Sequence, residues 1–87
     1  MKADRDNITR LLKTARRQLD KVLKMVEDDR YCMDISNQLM AAGAILRKAN
    51  KEIIQAHLNS CVREAFQTGN EGEKIEEIMA LFDKLSK

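Results

Sequence analysis

The 87-residue chain has no proline, only three glycines and no stretch with the alternating pattern of a strand. With Gly43 the one glycine before residue 69, nothing through the first two thirds forces a turn, and helix is expected wherever the apolar period permits it. Cysteine and histidine are equally scarce: Cys32, Cys61 and His57 are all there are. Two cysteines do not staple a small secreted scaffold, which points to a reducing compartment, the cytoplasm. The opening stretch MKADRDNITR contains no apolar run, so neither a leader nor a membrane anchor is expected. Low-complexity tracts and internal repeats are missing as well. No set of nucleophile, base and oxyanion donor can be assembled, and no enzymatic activity is expected.

What is present is helical periodicity, giving an all-α class and a single domain over residues 1–87. Ile8, Leu11, Leu12, Ala15, Leu19, Val22 and Val26 recur mostly at spacings of three and four, with Asp4 or Asp6 placed to cap the start. The acidic run Glu27-Asp28-Asp29 predicts a break and the N-terminal end of the next helix, where the dipole favours anions. A second helix is expected from about Tyr31 to about Gln67, because Gly43 weakens a helix by only ~1 kcal/mol. The sequence TGNEG (68–72) is a turn signal, and Ile75, Ile78, Met79, Phe82 and Leu85 form a short third amphipathic helix. The five methionines are scattered and read as core filler or initiator.

Charge is uneven. Residues 1–24 carry eight basic and three acidic side chains, a net +5, against −1 for 25–70 and −2 for 71–87. A solvated helix face accounts for half the weight of this asymmetry; a phosphate-binding face accounts for the other half.

The second helix is too long for a compact monomer. About 35 residues span ~52 Å, whereas a chain of this length has a radius of gyration near ~12 Å. A small domain also buries only roughly 60–65% of its unfolded surface. Both arguments call for a second copy. Cys32 and Cys61 are 29 residues apart, about 43 Å along one helix. Antiparallel pairing brings Cys32 of one copy beside His57 and Cys61 of the other, with the two-fold axis near residues 45–46. The small side chains of AAGA (41–44) would let the backbones approach there.

His57 and Cys61, at i and i+4, share a helix face. With Cys32 they supply two soft sulfurs and one imidazole, a set that suits Cu(I); Zn(II) wants a fourth ligand, and Ni(II) more nitrogen or oxygen. Cysteines that merely pack, and an intersubunit disulfide or polysulfide, are the alternatives, though the second leaves His57 without a purpose.

The motifs DDRYCMDISNQLMAA and IIQAHLNSCV, with histidine 25 residues after the first cysteine and four before the second, resemble the copper-sensitive operon repressors (CsoR) among the all-helical metal- and thiol-responsive repressors. The resemblance runs from residue 7 to residue 85. It implies a three-helix protomer with a long central helix, an antiparallel dimer, and a disc-like homotetramer. It implies Cu(I) held by Cys32 of one chain and His57 and Cys61 of another, with Tyr31 and Glu77 hydrogen-bonded to the non-ligating nitrogen of His57. Subtype follows from what is missing. The N-terminal histidine and final histidine ligand of nickel and cobalt sensors are not seen, Lys2 stands where formaldehyde sensors have proline, and His57 is present where persulfide sensors lack it.

The chain departs from the family in its first helix, which typically reads Arg-Leu-x-Arg-x-x-Gly-Gln. In LLKTARRQ, Leu11 and Thr14 stand at the two arginine positions and Arg17 at the glycine. Basic character persists in Arg10, Lys13, Arg16 and Arg17, with Lys48 and Lys51 near basic positions of the family's DNA face. The expected function is a Cu(I)-responsive transcriptional repressor that binds operator DNA as apo protein. The alternatives are a persulfide- or thiol-responsive repressor of the same fold and a metal-binding helical scaffold that binds no DNA.

Overall fold

In a computed structural model the chain forms α1 (Arg5–Glu27), α2 (Cys32–Thr68) and α3 (Glu71–Leu85). The structure describes residues 1–69 and 71–85, without the side chains of Thr68, Glu71, Lys74, Phe82 and Leu85. Asn70 of the expected turn, and the Phe82 and Leu85 side chains of the third stripe, thus lie outside the described residues. No strand occurs among the described residues. The all-α class and the long central helix agree with the sequence.

The chain divides into two compact units. The first, Asp4–Asn50, contains α1 and the opening part of α2. The Asp4 carboxylate accepts from the backbone N–H of Asp6 at 3.0 Å and of Asn7 at 3.3 Å, satisfying two donors that a helix start leaves unpaired. Ile8, Leu11, Ala15, Val22 and Met25 are the buried side chains of α1, and Ala42 and Ala49 those of α2 in this unit. Leu12, Leu19 and Val26, expected in the same stripe, are exposed. The apolar surface of α1 is wider than one neighbouring helix covers, and its far edge stays in solvent.

The break after α1 falls where the acidic run predicts it, for a different reason. Glu27 is the last residue of α1, not the start of the next helix. Asp29 adopts a left-handed φ of 52°, and its N–H donates to Val26 O at 3.1 Å while Arg30 N–H reaches back to Met25 O at 3.0 Å. This is a Schellman closure with aspartate in the place usually taken by glycine. Tyr31 O then accepts the first backbone bonds of α2, from Asp34 and Ile35.

The second unit comprises Met1–Ala3 and the chain from Lys51 onward. Among the described residues its buried apolar side chains are Ile54, Cys61 and Ala65. Gly69, with φ 74°, closes α2 by donating to Ala65 O at 3.0 Å, and α3 begins two residues later. Only a residue without Cβ takes that conformation at little cost.

Candidate metal centre

His57 and Cys61 occupy successive turns of α2, and the turn at Gly69 returns α3 so that Glu77 meets them. His57 Nε2 lies 2.5 Å from Glu77 Oε1 and 3.4 Å from Cys61 Sγ. One donor atom from each of the three residues falls within 4.8 Å of the others. The side chains of His57 and Glu77 are 47% and 38% exposed, while Cys61 is buried. The imidazole therefore sits at the mouth of the cluster and the sulfur at its base.

The short contact engages one ring nitrogen. At 2.5 Å the contact is within hydrogen-bond distance. Nε2 is the ring nitrogen that meets both the Glu77 carboxylate and Cys61 Sγ, and Nδ1 has no hydrogen-bond partner among the described residues. A carboxylate fixing one ring nitrogen while the other faces an ion is the usual way a ligating histidine is oriented. The donor set of thiolate and imidazole fits a soft or borderline metal ion.

The other expected site residues lie elsewhere. Cys32 and Tyr31 are exposed at the start of α2, and neither joins the His57, Cys61 and Glu77 cluster. Arg10, Lys13 and Arg17 line one shallow groove on α1 together with Asp6, Thr9 and Thr14. Arg16 is exposed on α1 outside that groove, and Lys48 and Lys51 are exposed on α2. Leu11 is only 5% exposed, so the departure at that position lies in the core and not on the basic surface. Two features were not foreseen. Asn7 and Thr14 hydrogen-bond Arg10 and Arg17, a pairing that the spacing of three residues would have disclosed. A polar pocket lined by Lys2, Ala56, Asn59, Ser60 and Arg63 depends on the N-terminal residues lying against α2, which no local pattern encodes.

A model of the family described as metal-sensitive transcriptional repressor matches residues 4–84. The copper-sensing transcriptional repressor CsoR of Bacillus subtilis is 33% identical over 84 residues, covering 97% of this chain and 83% of that protein. CsoR of Mycobacterium ulcerans is 38% identical over 68 residues, covering 78% of this chain but 58% of its own length. The chain thus spans little more than half of that longer relative. The crystal structure of the copper-sensing repressor CsoR with Cu(I) from Geobacillus thermodenitrificans matches with a TM-score of 0.82 and 36% identity, over 94% of this chain and 85% of that one. The nickel-responsive transcriptional regulator InrS shares the fold, with a TM-score of 0.88 at 21% identity over 98% and 96% of the two chains. With a family match over nearly its whole length and relatives at this identity, the chain belongs to the metal-sensitive transcriptional repressors.

Proposed function

We propose that this protein is a Cu(I)-responsive repressor that acts in the cytoplasm, binds operator DNA without metal and leaves it when Cu(I) binds. The observation that carries this reading is the juxtaposition of Cys61 Sγ, the His57 ring and Glu77 at one end of α2. Copper is favoured over harder ions because the ligands are Cys61, His57 and, from a second copy, Cys32. One histidine and two thiolates leave too few nitrogen and oxygen donors for Ni(II). The names of the Bacillus and Mycobacterium relatives point the same way.

Cys32 is assigned to a second copy because α2 is one unbroken helix from Cys32 to Thr68, and its 29-residue separation from Cys61 is about 43 Å of rise. An antiparallel dimer supplies the missing thiolate at each end, and two dimers make the tetramer. Tyr31 arrives with Cys32 and joins Glu77 at Nε2. Arg10, Lys13, Arg16 and Arg17 on α1, with Lys48 and Lys51 on α2, contact operator phosphates.

The residues carry the signal as follows. The His57 ring already meets Glu77 through Nε2. A metal held by Nδ1 would stop the ring turning away from that contact and so fix α3 to α2. No step of this scheme is a catalytic reaction.

Fluorescence anisotropy on a labelled fragment of the promoter upstream of its own gene tests the reading. Apo protein should bind at low salt, and Cu(I) should release it. Cys61→Ala should bind DNA and ignore Cu(I). Apo protein that binds no promoter DNA at low salt would make this chain a metal-binding scaffold instead.

A further inference from the structure

We infer that Asn7 and Thr14 are positioning residues for DNA binding, each holding the arginine three residues later on the phosphate-binding face of α1. The inference rests on the repressor reading and refines it.

The hydrogen bonds form two copies of one unit. Arg10 Nη2 donates to Asn7 Oδ1 at 2.7 Å, and Arg17 Nη2 donates to Thr14 Oγ1 at 3.3 Å. The two units are seven residues apart, two helical turns, which places both arginines on one face about 10.5 Å apart along the axis. That separation serves two different phosphates and is too large for one. Both arginines line the same groove, with Lys13 between them.

The Thr14 hydroxyl is itself fixed. It donates to Arg10 O at 2.9 Å, so its proton is committed and its oxygen faces Arg17 as an acceptor. Asn7 and Thr14 are half-buried at the base of the face, while Arg10 and Arg17 are exposed. Each arginine gives one N–H to its neighbour and keeps four for a phosphate. A guanidinium already oriented loses less rotamer freedom when DNA arrives, so binding is tighter for the same charge.

Charge and orientation can be separated by experiment. Operator affinity is measured across a salt series for the parent, Thr14→Val, Thr14→Ser, Arg17→Ala and the Thr14→Val/Arg17→Ala double variant, with thermal melts as a control on folding. Thr14→Val keeps every charge. It should weaken binding about 2- to 10-fold per subunit engaged while leaving the slope of log affinity against log salt unchanged. Thr14→Ser should restore parental affinity. Arg17→Ala should weaken binding and also shallow the slope by roughly one unit per lost contact. Adding Thr14→Val to Arg17→Ala should do nothing further, because the hydroxyl then has no guanidinium to hold. Asn7→Ala should repeat the pattern through Arg10. If the parent binds with a steep salt slope and Thr14→Val binds equally well, or if the two substitutions add, the positioning role is overturned and the repressor reading stands. A parent that binds no operator overturns both.

Discussion

His57 has two ring nitrogens, and Nε2 is engaged by Glu77 at 2.5 Å. In the proposed site Nδ1 is the ligand. Removing the carboxylate should therefore leave the ligands intact and cut their connection to α3. We predict that Glu77→Ala binds operator and Cu(I) nearly as the parent does, yet is released poorly by copper. A Cu(I) titration and a DNA anisotropy titration on the same sample separate the two affinities. Parental release by Glu77→Ala would mean that ligand movement alone carries the signal. The site was unevenly legible at this scale. His57 and Cys61 were readable because four residues on a helix make one face, and the softness of their donors pointed to copper. Glu77 lies 20 residues from His57, across a turn, and no spacing rule connects them; the family resemblance suggested it. Asn7 and Thr14 do not stand out in the sequence, because the small polar side chains that hold the arginines carry no charge of their own.

The order of three helices is legible in the sequence, and the long second one to within about a residue at each end, since two interruptions in 87 residues leave few ways to divide an apolar period. Their ends show where local reasoning stops. The sequence Glu27-Asp28-Asp29 signalled a break, but its acidity suggested a helix start, and what stops α1 is the left-handed Asp29. That conformation is set by the closing hydrogen bonds and cannot be derived from charge. At the second break the turn expected over residues 68–72 is narrower: Thr68 ends α2, Glu71 and Gly72 already belong to α3, and Gly69 has the positive φ that a turn requires. The two positions should respond in opposite directions. Gly69→Ala adds a Cβ that meets nothing within 4 Å, so its effect is backbone strain alone. It should destabilise the protein by about 1 kcal/mol. Asp29→Gly should relieve comparable strain, less the greater entropy of glycine in the unfolded chain, for a net gain of about 0.5 kcal/mol. Thermal or urea unfolding at fixed protein concentration reads both. Because Gly69 also turns Glu77 back towards His57, Gly69→Ala should reduce copper-driven release of DNA more than DNA binding itself.

The whole molecule is where one chain says least and physics adds most. Met33 and Met40 are exposed, and each lies nine residues, half a turn out of phase, from the buried Ala42 and Ala49. The helix is thus apolar on opposite sides, and α1 has exposed apolar side chains of its own in Leu12, Leu19, Leu23 and Val26. Such surface on a chain this small supports the proposed self-association. The proposed dimer makes each metal site a joint property of two copies, and this has a stoichiometric consequence. Neither Cys32→Ala nor Cys61→Ala should bind Cu(I) tightly alone. When the two variants are unfolded together and refolded in equal amounts, half of the dimers should be mixed, each with one site that has both thiolates. Tight Cu(I) binding should return at about a quarter of the parental capacity, since random pairing leaves one intact site in every four. No recovery would rule out sharing across the two-fold axis. The same arithmetic bears on regulation. Moving an operator from almost full to almost empty takes about 5.5 kcal/mol of coupling. Four sites in the proposed tetramer would supply it at ~1.4 kcal/mol each, within the ordinary range of linkage between two ligands. By that account the mixed sample, with a quarter of its sites, should be released from DNA far less completely than the parent at saturating copper. A shared site makes release a measure of how many subunit pairs are complete.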